Sequence, residues 1–414
     1  MNPQEIIEID DRGTAEYFHG RKPEIDFFKA SMERCKKTGK AKSILIQGPP
    51  GVGKTALKNQ LKQITKDTWQ VIELDTITDL ADPVKLGNSL LGRKKFQKTA
   101  KEIGLDLKAI KGKIIYEKTN DTVSEILSLL DKPTLLVLDE AQMAEIQLKK
   151  DTELWRQVSS TLNNIHNLEN GYGWITLFAG LGNTRKIYHD FRISRFYANS
   201  VIDLGPIDET SETNIIKDYL VRGAEVNPKH PDLDHWIHQL SKQTYQWPHH
   251  IVSYGETASK MIRNNKGILS DKVLNETLQK GLFLKNDYYE HRFYEINPGH
   301  RCSIYHGILE NEISANVINV DKVLDDFTSR PYIEDPQKTW DNLIGRGIVQ
   351  IGKNGFYQIP IPSMRTWMIK QCQMYHQLMQ SKPSLKMQQI FKSLDASKID
   401  KGIQSMNKTN VTLH

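Results

Sequence analysis

The chain has 414 residues, of which 38% are hydrophobic and 26% charged, with a formal net charge of +6. That length exceeds one comfortable core, so two or three folded domains are expected rather than a disordered chain. Composition excludes a membrane-spanning helix, because no run of about 18 apolar residues occurs. The acidic start Met1–Glu8 has no apolar signal core, so the expected location is cytoplasmic. The three cysteines, Cys35, Cys302 and Cys372, lie far apart and suit a reducing compartment; they read as giving no metal spacing. The mild positive charge permits nucleic-acid binding without arguing for it.

Phe18-His19-Gly20-Arg21 precedes a helix predicted to begin near Pro23, a favoured first-turn position, with Ile25, Phe28 and Met32 at helical spacing. Ser43–Gln47 then reads as a buried strand running into Gly48-Pro49-Pro50-Gly51-Val52-Gly53-Lys54-Thr55, and Ala56–Lys62 follows with helical periodicity. Strand, glycine loop and helix in that order are the context a phosphate site needs. The glycines let successive N–H groups point inward, and the helix start adds its positive dipole end. Lys54 would reach the β- and γ-phosphates, and the Thr55 hydroxyl would ligate Mg²⁺. The expected cofactors are therefore ATP and Mg²⁺, with Gly48 to Ala56 as the binding segment.

Gln70–Asp75 reads as a second strand ending in a carboxylate. Residues 76–120 read as a basic helical insert, either a solvated face or a partner surface, with Ile114–Tyr116 as a short strand. After a helix over 122–130, Thr134–Leu138 is an apolar strand followed by Asp139-Glu140-Ala141-Gln142. Such a run describes a central parallel strand with its carboxylates at the carboxyl edge, where ligands of this fold class sit. Asp139 would hold Mg²⁺ through water and Glu140 would polarise the attacking water; an acidic helix start is the competing reading. Trp155–Leu168 has helical spacing, and Trp174–Gly180 is a further strand. Its carboxyl end would lie between the two motif strands and place Asn183, or Thr184, near the γ-phosphate, unless this is only a turn. Arg192 and Arg195 precede the last strand, Val201–Leu204, and either can serve a neighbouring subunit or the plain surface. Five strands alternating with helices predict an α/β, doubly wound parallel sheet.

From Glu209 the pattern is almost wholly helical, and the helix after Gln246-Trp247 starts at Pro248 with His249 and His250 beside it, which read as packing and surface. Between 286 and 380, three short helices precede a hairpin signalled by Asn354-Gly355, the arrangement of a winged helix. Arg346 and Lys353 are the basic residues near that hairpin, a thin set for DNA readout. The expected organisation is a core over 1–206, a helical lid over 207–285, a winged-helix-like domain over 286–380 and a polar, flexible tail over 381–414.

With these pieces in order, residues 15–380 resemble the AAA+ superfamily of P-loop ATPases. Gly48–Thr55 looks like Walker A and Leu135–Glu140 like Walker B. Phe18-His19-Gly20-Arg21 resembles the "GR" box of origin-recognition and STAND-type ATPases, which implies that Arg21 lies against adenine. Gln246-Trp247-Pro248 resembles the glycine-x-proline box of STAND proteins without its glycine, which implies the same of Pro248. Phe178–Thr184 with Ser194-Arg195-Phe196 is also similar to transposition and secretion ATPases related to TnsC, MuB and ExeA. Where those carry Gly-Gln, this chain has Gly180-Leu181, so the sensor 1 residue stays open between Asn183 and its neighbours. No sensor 2 arginine stands beside Trp247-Pro248. The resemblance implies a Mg²⁺-dependent ATPase that assembles with copies of itself, with Glu140, Lys54, Asn183 and Arg195 catalytic and Thr55 and Asp139 holding metal. Duplex DNA or a DNA-bound protein is the implied partner. The alternative it implies is a STAND-like switch that binds ATP tightly and oligomerises with little turnover.

Overall fold

The structure, a computed structural model, describes residues 18–102, 123–149, 151–168, 171–192, 200–294, 296, 298–314, 316–330, 332–352 and 355–396. The chain divides into two compact units, Met1–Lys285 and Asn286–His414.

In the first unit, β1 (Ala41–Gln47), β2 (Gln70–Leu74), β3 (Thr134–Leu138), β4 (Trp174–Gly180) and β5 (Val201–Asp203) form one sheet in the order β2-β3-β4-β1-β5. Every pairing is parallel, with Leu138 opposite Phe178 and Gln47 opposite Gly180. All residues of β3 and β4 are buried, as strands covered on both faces must be, and this is why they read as unbroken apolar runs. The doubly wound α/β expectation holds. Because all strands run one way, the segments after β1, β3 and β4 emerge along one edge, with β4 between the other two.

Helix α1 (Lys22–Thr38) buries Phe28, Met32 and Cys35, one face at four- and three-residue steps. Helix α2 (Lys54–Thr65) starts two residues earlier than periodicity suggested, since the loop's last glycine is its cap. Helices Pro83–Leu91 and Arg93–Glu102 occupy part of the basic insert, while Ile114–Tyr116 lies outside the described residues. Glu209–Asp218, Leu233–Thr244 and Pro248–Asn264 pack around Ile216, Leu220, Trp236, Leu240, Ile251 and Tyr254 in a second cluster. His250 is fully buried, so the surface half of its expected role applies only to His249.

The second unit contains helices Pro298–Glu310, Val320–Thr328, Pro336–Gly345, Pro362–Leu378 and Leu385–Ala396. Its sheet has the order β6-β7-β9-β8, from β6 (Glu312–Ser314), β7 (Val317–Ile318), β8 (Gln350–Ile351) and β9 (Tyr357–Gln358). The hairpin is thus β8–β9, and β6 and β7 are strands too short to leave a periodicity. Two expectations are corrected here. Residues 385–396 form a helix, not a flexible tail, because Met387, Ile390 and Phe391 recur at helical spacing and Met387 is fully buried. Cys302 and Cys372, distant in sequence, lie with their sulfurs 4.0 Å apart across two helices. No helix among the described residues is long and apolar enough to cross a membrane.

Candidate nucleotide site

The loop from Gly48 to Gly53 leaves β1 and becomes α2 without a break. Gly48 N–H donates to the Gly180 carbonyl at 3.3 Å, tying the loop's start to the end of β4. Gly53 caps α2 at φ 92°, a left-handed conformation that a side chain would strain. Lys54, Thr55 and Ala56 make the first turn of α2; Thr55 is exposed and Ala56 half-buried. Lys54 Nζ donates to the carbonyls of Gly48 and Pro49, both at 3.0 Å, and so curls back onto the start of the loop that Pro50 and Gly51 continue. An ammonium above a glycine loop and a helix start directed at it are the donors a triphosphate needs. The residues present fit that group.

Arg21 is buried beside this loop rather than open to it. Its Nη2 donates to Val52 O at 3.1 Å and to Gly205 O at 2.6 Å, so the guanidinium pins the loop to the segment after β5. Arg21 itself sits at φ 58°, a conformation held by those bonds. On the other side, His249 N–H donates to Gly51 O at 3.0 Å. A Cβ on Gly53 would come within 3.8 Å of Pro248, so helix Pro248–Asn264 starts beside the glycine loop.

Asp139 and Glu140 follow β3. Asp139 Oδ1 accepts the Glu140 N–H at 2.9 Å, and Oδ2 accepts Lys58 Nζ at 2.8 Å. Lys58 also donates to Glu73 at 2.7 Å, and Lys62 pairs with the other oxygen of Glu73. Burial pulls the Lys58 pKa down, but Asp139 and Glu73 outweigh it and leave it raised. Burial likewise raises Glu73, and the two lysines outweigh it and hold the carboxyl below its usual range. A divalent cation at Asp139 would share that carboxylate with an ammonium, which fits binding through water rather than directly. Glu140 adopts φ 49°, and Gln142 Nε2 donates to its carboxylate. Gln142 Oε1 accepts the Leu181 N–H at 3.1 Å, so one side chain spans from Glu140 to the end of β4. A Cβ at Gly180 would lie 2.2 Å from Thr184 Oγ1, so only glycine fits there. Asn183 Oδ1 is buried with no hydrogen-bond partner among the described residues, a waiting acceptor at the end of the middle strand. Arg192 is exposed, and Arg195 lies outside the described residues.

Sequence reasoning did not reach Lys58, Glu73 or Gln142. Lys58 carries no signal beyond the periodicity of its helix, and the carboxylate that ends the strand reading is Asp75, whereas Glu73 is the one engaged. The Ala141-Gln142 continuation of the acidic pair carried the signal for Gln142. A cleft of about 680 Å³ beside Trp69, Leu90 and Lys132 lies at the amino ends of β2 and β3, the sheet edge opposite the loop, and has no part in this site.

The strand order, the loop between β1 and α2 and the acids after β3 define a P-loop nucleotide-binding domain. Residues 17–163 match the family model described as AAA ATPase domain. Within the P-loop class, the likeness of this segment is to AAA ATPase domains. Among solved structures, the ADP form of the Aeropyrum pernix ORC2 protein is similar, with a TM-score of 0.52 at 12% identity over 86% of this chain and 95% of that one. The same protein in its ADPNP–ADP complexes gives a TM-score of 0.49 at 12% identity, covering 86% and 94%. The Aeropyrum pernix ORC1 protein in complex with DNA gives 0.43 at 12% identity, covering 86% and 93%. No curated protein matches the sequence.

Proposed function

We propose that this protein is a Mg²⁺-dependent ATPase that uses its nucleotide state to control assembly on DNA or on a partner protein. The observation carrying this reading is the convergence at one sheet edge of the Lys54 loop and the Asp139–Glu140 pair, with the segment bearing Asn183 after the strand between them. Lys54 and the loop amides hold the phosphates, Thr55 and Asp139 hold Mg²⁺, and Glu140 orients water, so catalysis is positioning and charge stabilisation. Asn183 donates its side-chain amide N–H to the γ-phosphate. Arg195 from a second copy neutralises transition-state charge, which makes the active form an oligomer. Arg21 and Pro248 act on the nucleotide chiefly by shaping the loop, as their contacts with Val52, Gly205 and Gly53 support. Residues 286–380 serve as a winged helix. There Arg346 donates to the Arg292 carbonyl at 3.1 Å, which favours a packing role over base reading for that residue.

The lid favours a second reading, a switch with little turnover. It meets the loop through His249 N–H and Pro248, and the one arginine of helix Pro248–Asn264, Arg263, stands at its far end. ATP hydrolysis by wild type and Glu140→Gln, with and without duplex DNA at low salt, separates the two. Turnover stimulated by DNA and lost in the variant supports the ATPase. ATP retained through purification, with no turnover in either condition, replaces it with the switch.

A further inference from the structure

Two helices of the second unit each present a cysteine and a histidine four residues apart: Cys302 and His306 on Pro298–Glu310, Cys372 and His376 on Pro362–Leu378. Four-residue spacing puts both members of a pair on one helix face. Ligand atoms of Cys302, His306 and Cys372 all lie within 4.8 Å of one another, and all three residues are buried. His376 stands beside this set of three, its Nε2 3.0 Å from His306 Nε2. The two sulfurs are 4.0 Å apart, about twice a disulfide bond length. A tetrahedral zinc ion with Zn–S near 2.3 Å and Zn–N near 2.0 Å needs separations of about 3.8 Å between sulfurs and about 3.3 Å between nitrogens. The observed pairs are within a few tenths of an ångström of both.

We propose that Cys302, His306 and Cys372, with the neighbouring His376 turning in as fourth ligand, form a structural zinc site that clamps helices Pro298–Glu310 and Pro362–Leu378 together. The outer contacts are those of ligating histidines. Nδ1 of His306 is 3.3 Å from the Glu310 carboxylate and Nδ1 of His376 is 2.7 Å from Ser381 Oγ, which leaves both Nε2 atoms to the metal. Four protein ligands close the coordination sphere, so the ion stabilises and does not catalyse. Two thiolates with two imidazoles select zinc over the hard cations that a nucleotide site uses. The site rests on nothing in the ATPase reading.

The test is metal analysis of the full-length protein purified under reducing conditions without chelator. One zinc per chain is expected, with loss of the metal in Cys302→Ser/Cys372→Ser. Because that variant can fail to fold, two further measurements carry the case. Wild type stripped of metal and refilled with Co²⁺ should show thiolate charge-transfer and tetrahedral d–d bands. Glu310→Gln should bind zinc about 10–100-fold more weakly while ATP binding stays at the wild-type level. Substoichiometric zinc with no cobalt spectrum would overturn the assignment. So would a resting protein two hydrogens lighter, with Cys302 disulfide-bonded to Cys372.

Discussion

Replacing Lys58 by methionine tests how the acidic half of the nucleotide site is held. The Lys58 side chain is 8% exposed, and its ammonium lies 2.7 Å from Glu73 and 2.8 Å from Asp139. Lys58→Met keeps the apolar stem and removes two charge-assisted hydrogen bonds, each of about 1.5–3 kcal/mol. Breaking a fully buried ion pair costs about 3–5 kcal/mol, because a charge is left uncompensated. Here the loss is smaller. Glu73 and Asp139 are 37% and 27% exposed, Glu73 keeps Lys62, and Asp139 keeps the Glu140 N–H. A destabilisation of about 2–3 kcal/mol is expected, or roughly 5 °C in melting temperature. The assay is thermal and denaturant unfolding of nucleotide-free protein in chelator, repeated with Mg²⁺. The variant should regain part of the loss with Mg²⁺, since the dication replaces the missing ammonium at Asp139. The sign with pH is set by Glu73, whose folded pKa lies below its ordinary value of 4.5. Its stabilisation is present above that value and is lost as pH falls through the lowered folded value, so the gap between wild type and variant should close in acid. A variant as stable as wild type at neutral pH, or a gap that widens in acid, would refute the reasoning.

Glu140→Gln should retain ATP binding and lose multiple-turnover hydrolysis; a variant that still hydrolyses at the wild-type rate removes Glu140 from the role of base. Arg21→Ala should weaken nucleotide binding, read by titration with a fluorescent ATP analogue, because Val52 and Gly205 lose their shared donor. Arg21→Lys should not restore it, since a lysine ammonium falls one bond short of the Nη2 atom that both carbonyls share. Gln142→Ala should lower turnover by about 10–100-fold with affinity unchanged, because Glu140 loses the hydrogen bond that fixes its orientation. Equal turnover in Gln142→Ala would make that contact a bystander.

What sequence alone determined are the features written in consecutive residues. The strand–glycine loop–helix of Ser43–Lys62 and the apolar run into Asp139-Glu140 each carry their own local physics. A loop needing positive φ calls for Gly51 and Gly53, and a strand buried on both faces calls for an unbroken apolar run. From their alternation with helices the parallel sheet followed. What only tertiary structure decided are pairings between residues far apart in the chain. The resemblance implies that Arg21 lies against adenine, and tertiary structure adds its contact with Gly205 across 184 positions, because β5 docks beside β1. Lys58 and Asp139 meet because α2 packs across the sheet, and no pattern in either segment announces the other. The cysteines and histidines are the sharpest case. Each i,i+4 pair is legible on its own helix, but two ligands do not make a closed site. Only the packing of Pro298–Glu310 against Pro362–Leu378 brings three ligand atoms within 4.8 Å of one another with His376 beside them, because coordination depends on distance in space and is blind to distance along the chain.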